Sequence, residues 1–539
     1  MSEHEGDSRG SIGSTPLTRR EVLKGALVVG AGAAFGPAIA ACGGGGGGTS
    51  ASPSASASSG PKQGGSLKIG IVGGSAKEHL DGALATTEPE ICNCFQLYDA
   101  LMGWDENYQM VQLLAESTEA NADASVWTVK LRSGVTFHDG KPLTADDVVY
   151  SYTRIIDPKT PLMGASQLAS LKASGIKKID DSTVEFHLVG PNVIFDEALA
   201  LYGNTIVPTT FDAKAPVGTG PFKLTSFSPG QQIVYAANKN YWGQAPHVDT
   251  LTVIEFADPA ARVNALLGGT VDAISQLPSA QAAAVTGGGQ KVLDAHTGAW
   301  QPFTMRIDQK PFNDVRVRQA FRLIIDRKQM VEQAFAGYGA EGNDVYAPFD
   351  PGTVLAALPQ REQDLAQAKS LLKAAGYDNN LTVTLTTSDA VGSAAVAAAQ
   401  VFAEQAKGAG VTVNVNKVAS SVFYGDQYLK WTFAQDFWYT RNYLAQANQG
   451  TMPTAPYNEC HWKDAKWLAI VQEAFKTADK TKRNQLLAEA QKIEYDTGGY
   501  IVWAFNDQID AYSAKLGGVV PDKSGVPLSS FHFNKFFFA

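Results

Sequence analysis

The stretch Trp127-Thr-Val-Lys-Leu-Arg-Ser-Gly-Val-Thr-Phe-His-Asp-Gly-Lys-Pro-Leu-Thr-Ala-Asp-Asp-Val-Val149 holds a strand, two turns and a helix start in one short run. Over 126–131 apolar and polar side chains alternate, the period of a half-buried strand. Arg132-Ser133-Gly134 ends it as a turn, and Asp139-Gly140 makes a second turn beside His138, which reads as structural. Thr144 and Asp147 then form a capping box, opening a helix whose apolar face is Val148, Tyr152 and Ile155. Outward from this block the same alternation of strand and helix continues. Strands are expected at 66–71, 183–189, 251–256 and 499–505, with a short strand or helix at 99–104. Helices are expected at 259–267, at 365–375 ended by Gly376, at 467–475 and at 482–495. A long helix capped by Asn313 or Asp314 would carry Val317, Ala320, Phe321, Ile324 and Ile325 on one face. Residues 381–387, an alanine-rich helix to Gly408 and 411–418 form a strand–helix–strand unit. The class is α/β, with no internal repeat.

Composition narrows the function. The 539 residues are 44% hydrophobic and 18% charged, a globular balance with material for about three domains. Net charge is −9 and no basic block follows the first 24 residues, which argues against nucleic acid as a partner. Phosphate-binding loops, nucleophile elbows and paired-histidine metal motifs are missing from the sequence, and the eight histidines are scattered singly. Carboxylates are abundant, but nothing singles out a catalytic pair.

Residues 1–41 read as an address. Thr18-Arg19-Arg20-Glu21-Val22-Leu23-Lys24 resembles a twin-arginine export signal, and a weakly apolar run reaches Ala41. Ile39-Ala40-Ala41-Cys42 resembles a bacterial lipobox, with Cys42 the residue lipidated. The apolar run holds Pro37 and much Gly and Ala, so it makes a poor membrane span. Removing the signal takes four basic residues (Arg9, Arg19, Arg20, Lys24) and four acidic ones (Glu3, Glu5, Asp7, Glu21), leaving the charge at −9. From 42 to 65 a Gly/Ser/Ala/Pro tract forms a flexible tether with a reach of roughly 25–30 Å. The expected location is the outer face of a cell membrane, or a periplasm.

Six blocks, in order, resemble the extracytoplasmic solute-binding proteins of ABC importers, of the oligopeptide/dipeptide/nickel-binding type. They are Leu97-Tyr98-Asp99-Ala100-Leu101 followed by the 127–149 stretch; Gly218-Thr-Gly-Pro-Phe-Lys223; Asn238-Lys-Asn-Tyr-Trp242; Gly269-Thr-Val-Asp272; Pro311-Phe-Asn-Asp-Val-Arg-Val-Arg-Gln-Ala-Phe321; and Ala368 to Tyr377, with the strand near Tyr500 to Tyr512 also agreeing in order and spacing. The resemblance covers essentially all of 65–539. It implies a two-lobed periplasmic-binding-protein-like fold of three domains with a ligand cleft between the lobes. Domain I of the first lobe would be 65–105, 206–298 and 508–539, with domain II inserted at 106–205. The second lobe, domain III, would be 299–507, and the crossings near 299 and 507 would act as the hinge. The Phe-rich tail, 531–538, would pack on the first lobe.

The implied function is a monomeric, non-enzymatic receptor without a cofactor, capturing a peptide or other small organic solute for a permease driven by ATPase subunits. Binders of non-peptide organic solutes or metal complexes, an exported enzyme, and a peptide sensor without import are the alternatives. Family peptide binders hold the ligand ammonium with a second-lobe aspartate, and Asp436 falls near that position, although its flanking pattern departs from the family's. Trp438 and Tyr439 are expected to line the cleft and Arg441 to meet a carboxylate. In the first lobe Thr86 and Glu88 fall in a loop expected to pair with an extended ligand's backbone. Trp300, beside the first crossing, is a further aromatic candidate. Cys92-Asn93-Cys94 and Cys460-His461 leave a disulfide such as Cys94–Cys460, free buried thiols, or a metal site as open readings.

Overall fold

The computed structural model describes residues 61–392 and 394–539. The expected signal, Cys42 and most of the expected tether lie outside the described residues. Lys62 N and Gly64 N donate to Phe538 O and His247 O at 3.2 and 2.7 Å, so the free tether does not extend to Gly65.

Two larger sheets carry the two lobes. The first strand, Ser66–Val72, alternates as its sequence requires, with Leu67, Ile69 and Ile71 fully buried. It lies parallel to Thr250–Phe256 at the centre of a seven-stranded mixed sheet. The C-terminal strand Gln508–Tyr512 enters this sheet between Lys291–Ala295 and Ala273–Ile274. A hairpin of Phe222–Ser228 and Gln232–Ala237, turning at Gly230 with φ +74°, completes it. The second lobe is built on a five-stranded sheet, in the order Val411–Lys417, Leu381–Thr387, Phe433–Gln435, Phe303–Met305, Tyr500–Ile501. The expected strand–helix–strand unit is there: Leu381–Thr387 and Val411–Lys417 are parallel, joined through the helix Ala395–Lys407. The 127–149 block gives the strand Val126–Leu131 and the helix Ala145–Ile155, whose capping box is formed. That strand belongs to a four-stranded antiparallel sheet with Ala115–Ala120, Leu171–Asp180 and Thr183–Leu188.

Several of the six blocks meet at buried junctions. Asp99 accepts from Thr219 Oγ1 at 2.7 Å, Tyr241 Oη at 2.9 Å and Trp242 Nε1 at 2.9 Å, so one carboxylate joins three of them. Gly218 and Gly220 lie against the backbone of Leu97 and Gln96 so closely that a Cβ at either would collide with it. His138 is structural, as expected: Gly218 N donates to Nδ1 at 3.4 Å and Nε2 lies 3.0 Å from Gly220 O. The tail residues Phe531, Phe533 and Phe536 join the first lobe's core.

Three expectations change. The long helix from Asp314 stops at Ile324, because Ile325 is extended and Asp326 caps a new helix, Arg327–Ala334, by accepting from Gln329 N. The strand expected at 499–505 divides into Tyr500–Ile501 in the main sheet and Ala504–Asn506 paired with Gly339–Glu341. The Cys94–Cys460 disulfide is not formed. Cys94 Sγ donates within the first lobe to Glu90 O at 3.4 Å, and Cys460 is buried in the second lobe against Gly499. That separation also removes the Cys/Cys/Cys/His metal set.

Candidate functional site

A cavity of about 1170 Å³ opens between the lobes. The first lobe supplies Thr86, Glu88, Phe95, Trp104, Tyr108 and Tyr202 to its wall; the second supplies Tyr439, Arg441 and Gln449. Contacts span it at the edges. Tyr108 Oη donates to Thr440 O at 2.9 Å, and Asn442 Nδ2 donates to Glu197 Oε1 at 3.1 Å. Trp104 stacks on Tyr108 with ring centroids 4.2 Å apart, holding that hydroxyl in place.

Four of the seven expected binding residues line this cavity, and three do not. Tyr439 is 57% exposed, its ring edge-on to Phe437. Arg441 lies over the Trp438 ring, 5.2 Å from its centroid, and donates to Gln446 Oε1 at 3.4 Å. No acid pairs with it among the described residues, and burial lowers its pKa, opposed by the surrounding tyrosines 108, 202, 439 and 457. Thr86 is exposed, and both its backbone N–H and its hydroxyl donate to Glu90 Oε2. Glu88 is not in a loop: it is the first residue of the helix Glu88–Leu97, whose cap is Thr87. Its Oε2 accepts from Gln276 Nε2 at 2.5 Å, and burial pushes the carboxyl up to about 7.

Asp436, Trp438 and Trp300 face the other way. Asp436 is 4% exposed and takes hydrogen bonds from Tyr424 Oη at 3.2 Å, Tyr428 Oη at 3.0 Å and Phe437 N at 2.9 Å. It lies inside the second lobe near Glu459, and burial holds its pKa up. This carboxyl is spent on the protein's own tyrosines and does not reach the interlobe cavity. Trp300, 1% exposed, bridges Trp438 backbone to backbone and stacks on Tyr346, so both tryptophans are core.

Sequence reasoning missed Tyr108, Tyr202, Glu197 and Gln449. They come from separate segments with no shared spacing, and only the fold brings them together. Glu197 is an acid at the wall whose carboxyl is pushed up to about 8, first by burial and then by Asp196.

Two α/β lobes joined by paired chain passages, with a large aromatic cavity between them, define a binding protein that holds a small solute between its lobes. The family model of the bacterial extracellular solute-binding proteins, family 5, middle region, matches residues 109–458. The chain belongs to that family, and is an extracytoplasmic substrate-binding protein of an ABC importer, not an enzyme. It is 26% identical over 465 residues to the glutathione-binding protein GsiB of Shigella flexneri serotype 5b, covering 79% of this chain and 87% of the relative. It is 26% identical over 462 residues to di/tripeptide-binding protein 2 of Pseudomonas aeruginosa, covering 78% and 86%. In structure it is similar to the ABC transporter substrate-binding protein CtaP from Listeria monocytogenes. The TM-score is 0.78 at 22% identity, over 88% of this chain and 100% of that one.

Proposed function

We propose that this chain is a lipid-anchored receptor that captures a carboxylate-bearing organic solute, with peptides the leading class, and delivers it to a membrane permease. Arg441 carries the reading. A partly desolvated guanidinium without an acid partner among the described residues, on the wall of a ligand-sized cavity, favours an anion that brings charge-assisted hydrogen bonds. The cavity exceeds the ~300–1,000 Å³ usual for one small-molecule site, which suits a peptide or another extended solute. Its relatives GsiB and di/tripeptide-binding protein 2, named for glutathione and for short peptides, support the same class. In this reading the lobes are 65–105, 206–298 and 508–539 with 106–205 inserted, and 299–507. Thr86, Glu88 and Tyr439 join Arg441 at the ligand, which holds both lobes and shifts them toward closure. The lipobox at Cys42 supports membrane anchoring.

The test is native mass spectrometry of the purified chain before and after denaturation, followed by thermal-shift screening against peptide and organic-acid pools. A released carboxylate-bearing mass that restabilises the stripped protein is expected. A captured ligand without an anionic group overturns the role of Arg441. An empty protein that no pool stabilises overturns capture of this class. Cys42→Ser should leave the protein unacylated and released from membranes, and deletion of the receptor should abolish uptake of the captured solute.

A further inference from the structure

The two passages of chain between the lobes run side by side. Within the seven-stranded sheet their roots, Lys291–Ala295 and Gln508–Tyr512, are antiparallel neighbours, with Ala295 opposite Gln508. Beyond the sheet Thr297 Oγ1 donates to Asn506 O at 2.7 Å, and Asn506 N donates to Ala299 O at 2.9 Å. At this junction Asp294, His296 and Asp507 converge, with one ligand atom from each lying within 4.8 Å of the others.

The local electrostatics are unusual. The Asp507 side chain is only 3% exposed, while His296 is 75% exposed. His296 Nδ1 lies 3.0 Å from Asp507 Oδ1, and Asp294 is the other side chain set against that carboxylate. Neither aspartate forms an ion pair with a lysine or arginine among the described residues. A carboxylate withdrawn from water is stable only when donors or a cation answer it. Asp507 instead faces a second carboxylate and a single imidazole. None of the three residues lines the interlobe cavity, so this cluster is separate from ligand capture.

We propose that Asp294, His296 and Asp507 bind one Zn²⁺-type divalent transition-metal ion across the two interlobe passages, and that the ion restrains the movement of the lobes. Imidazole with two carboxylates suits Zn²⁺ better than the hard ions Mg²⁺ and Ca²⁺, which take oxygen ligands. Three protein ligands leave a fourth tetrahedral position for water. Around a tetrahedral ion with bonds of roughly 2.0–2.2 Å the ligand atoms stand about 3.4 Å apart, so the His296–Asp507 pair, now at 3.0 Å, opens slightly to admit the ion, within a trio already inside 4.8 Å. Asp294 and His296 come from the outgoing passage and Asp507 from the returning one, so a single ion ties both.

The purified full chain, stripped with a chelator, is titrated with ZnCl2 by calorimetry and with Co²⁺, whose visible absorption reports its ligands. One ion per chain is expected, with affinity at least about tenfold weaker in Asp294→Asn and in His296→Gln. Both side chains are exposed, and His296→Gln keeps an N–H donor for Asp507. Hydrogen exchange at residues 296–300 and 504–508 should slow with Zn²⁺ in the parent chain and not in the variants. No binding, or binding equally tight in both variants (an ion held elsewhere), overturns the site. Site-dependent binding that leaves exchange at both passages unchanged overturns the restraint.

Discussion

Arg441 is a partly buried charge in the second-lobe wall that no acid pairs among the described residues, and in the proposed reading a ligand carboxylate pairs it. A hydrogen-bonded charge pair of this kind contributes about 1.5–3 kcal/mol. Arg441→Gln should therefore weaken binding of the captured solute by roughly 10- to 100-fold, read by calorimetry, with the melting temperature of the empty protein little changed. A second residue-scale expectation concerns Glu494, 1% exposed and accepting from Tyr443 Oη at 2.8 Å. Burial pushes its carboxyl from 4.5 up to about 8. Between those values the native state holds a proton that the unfolded chain has lost, so this group's contribution to stability declines as pH rises from 4.5 to 8. Glu494→Gln keeps the acceptor without the charge. It should flatten the fall in melting temperature between pH 5 and pH 8 by about 2–4 °C. The site's residues were legible as a segment but not in phase. From Asp436 to Tyr439 the chain is extended, and successive side chains point to opposite sides. Asp436 and Trp438 are buried while Phe437 and Tyr439 are exposed, and nothing in the sequence says which set faces the ligand.

At the scale of elements, the clearest test lies in the C-terminal segment beside the cavity. Leu528, Ser529, Ser530 and Phe531 all have φ between 50° and 61°, a left-handed turn without a glycine. Each such residue costs about 1–2 kcal/mol, so its surroundings must enforce it. Asp510, fully buried, accepts from Leu528 N at 2.6 Å and Gln276 N at 2.8 Å; Ser529 Oγ donates to Val520 O at 2.7 Å. Asp510→Ala leaves two backbone donors without partners and should cost about 2–5 kcal/mol in urea denaturation. Capping and periodicity made other elements legible: Thr144 with Asp147, and the alternation at 126–131, both appear as read. Where reading failed, a cue was present but weaker than its neighbours. Asp326 three residues before Gln329 is a helix start hidden inside an apolar stripe. Pro229-Gly230 between two alternating runs is a hairpin signal. The left-handed turn had no cue, because Leu, Ser and Phe rarely adopt it and only tertiary bonds hold it.

For the whole molecule, two lobes and a cleft were what the family resemblance carried by the six blocks implied, while the cavity's tyrosines had no such cue, since they are adjacent only in three dimensions. The thiols offer a global check. Cys92, Cys94 and Cys460 are buried and separate. The unreduced chain should show them unreactive to a thiol reagent when native, and all three reactive once denatured. Fewer than three after denaturation would return the disulfide to consideration. The insertion of Gln508–Tyr512 between Lys291–Ala295 and Ala273–Ile274 bears on how the chain is made. The second lobe's strands and helices lie within one continuous span, but the first lobe waits for a strand encoded hundreds of residues after its neighbours. Until that strand emerges, two sheet edges stand open, and the wall residues from Ser524 to Lys535 are missing from the cavity. A chain cut short near its end thus lacks a finished lobe and a finished cavity together, so synthesis through to the C-terminus is itself the condition for binding.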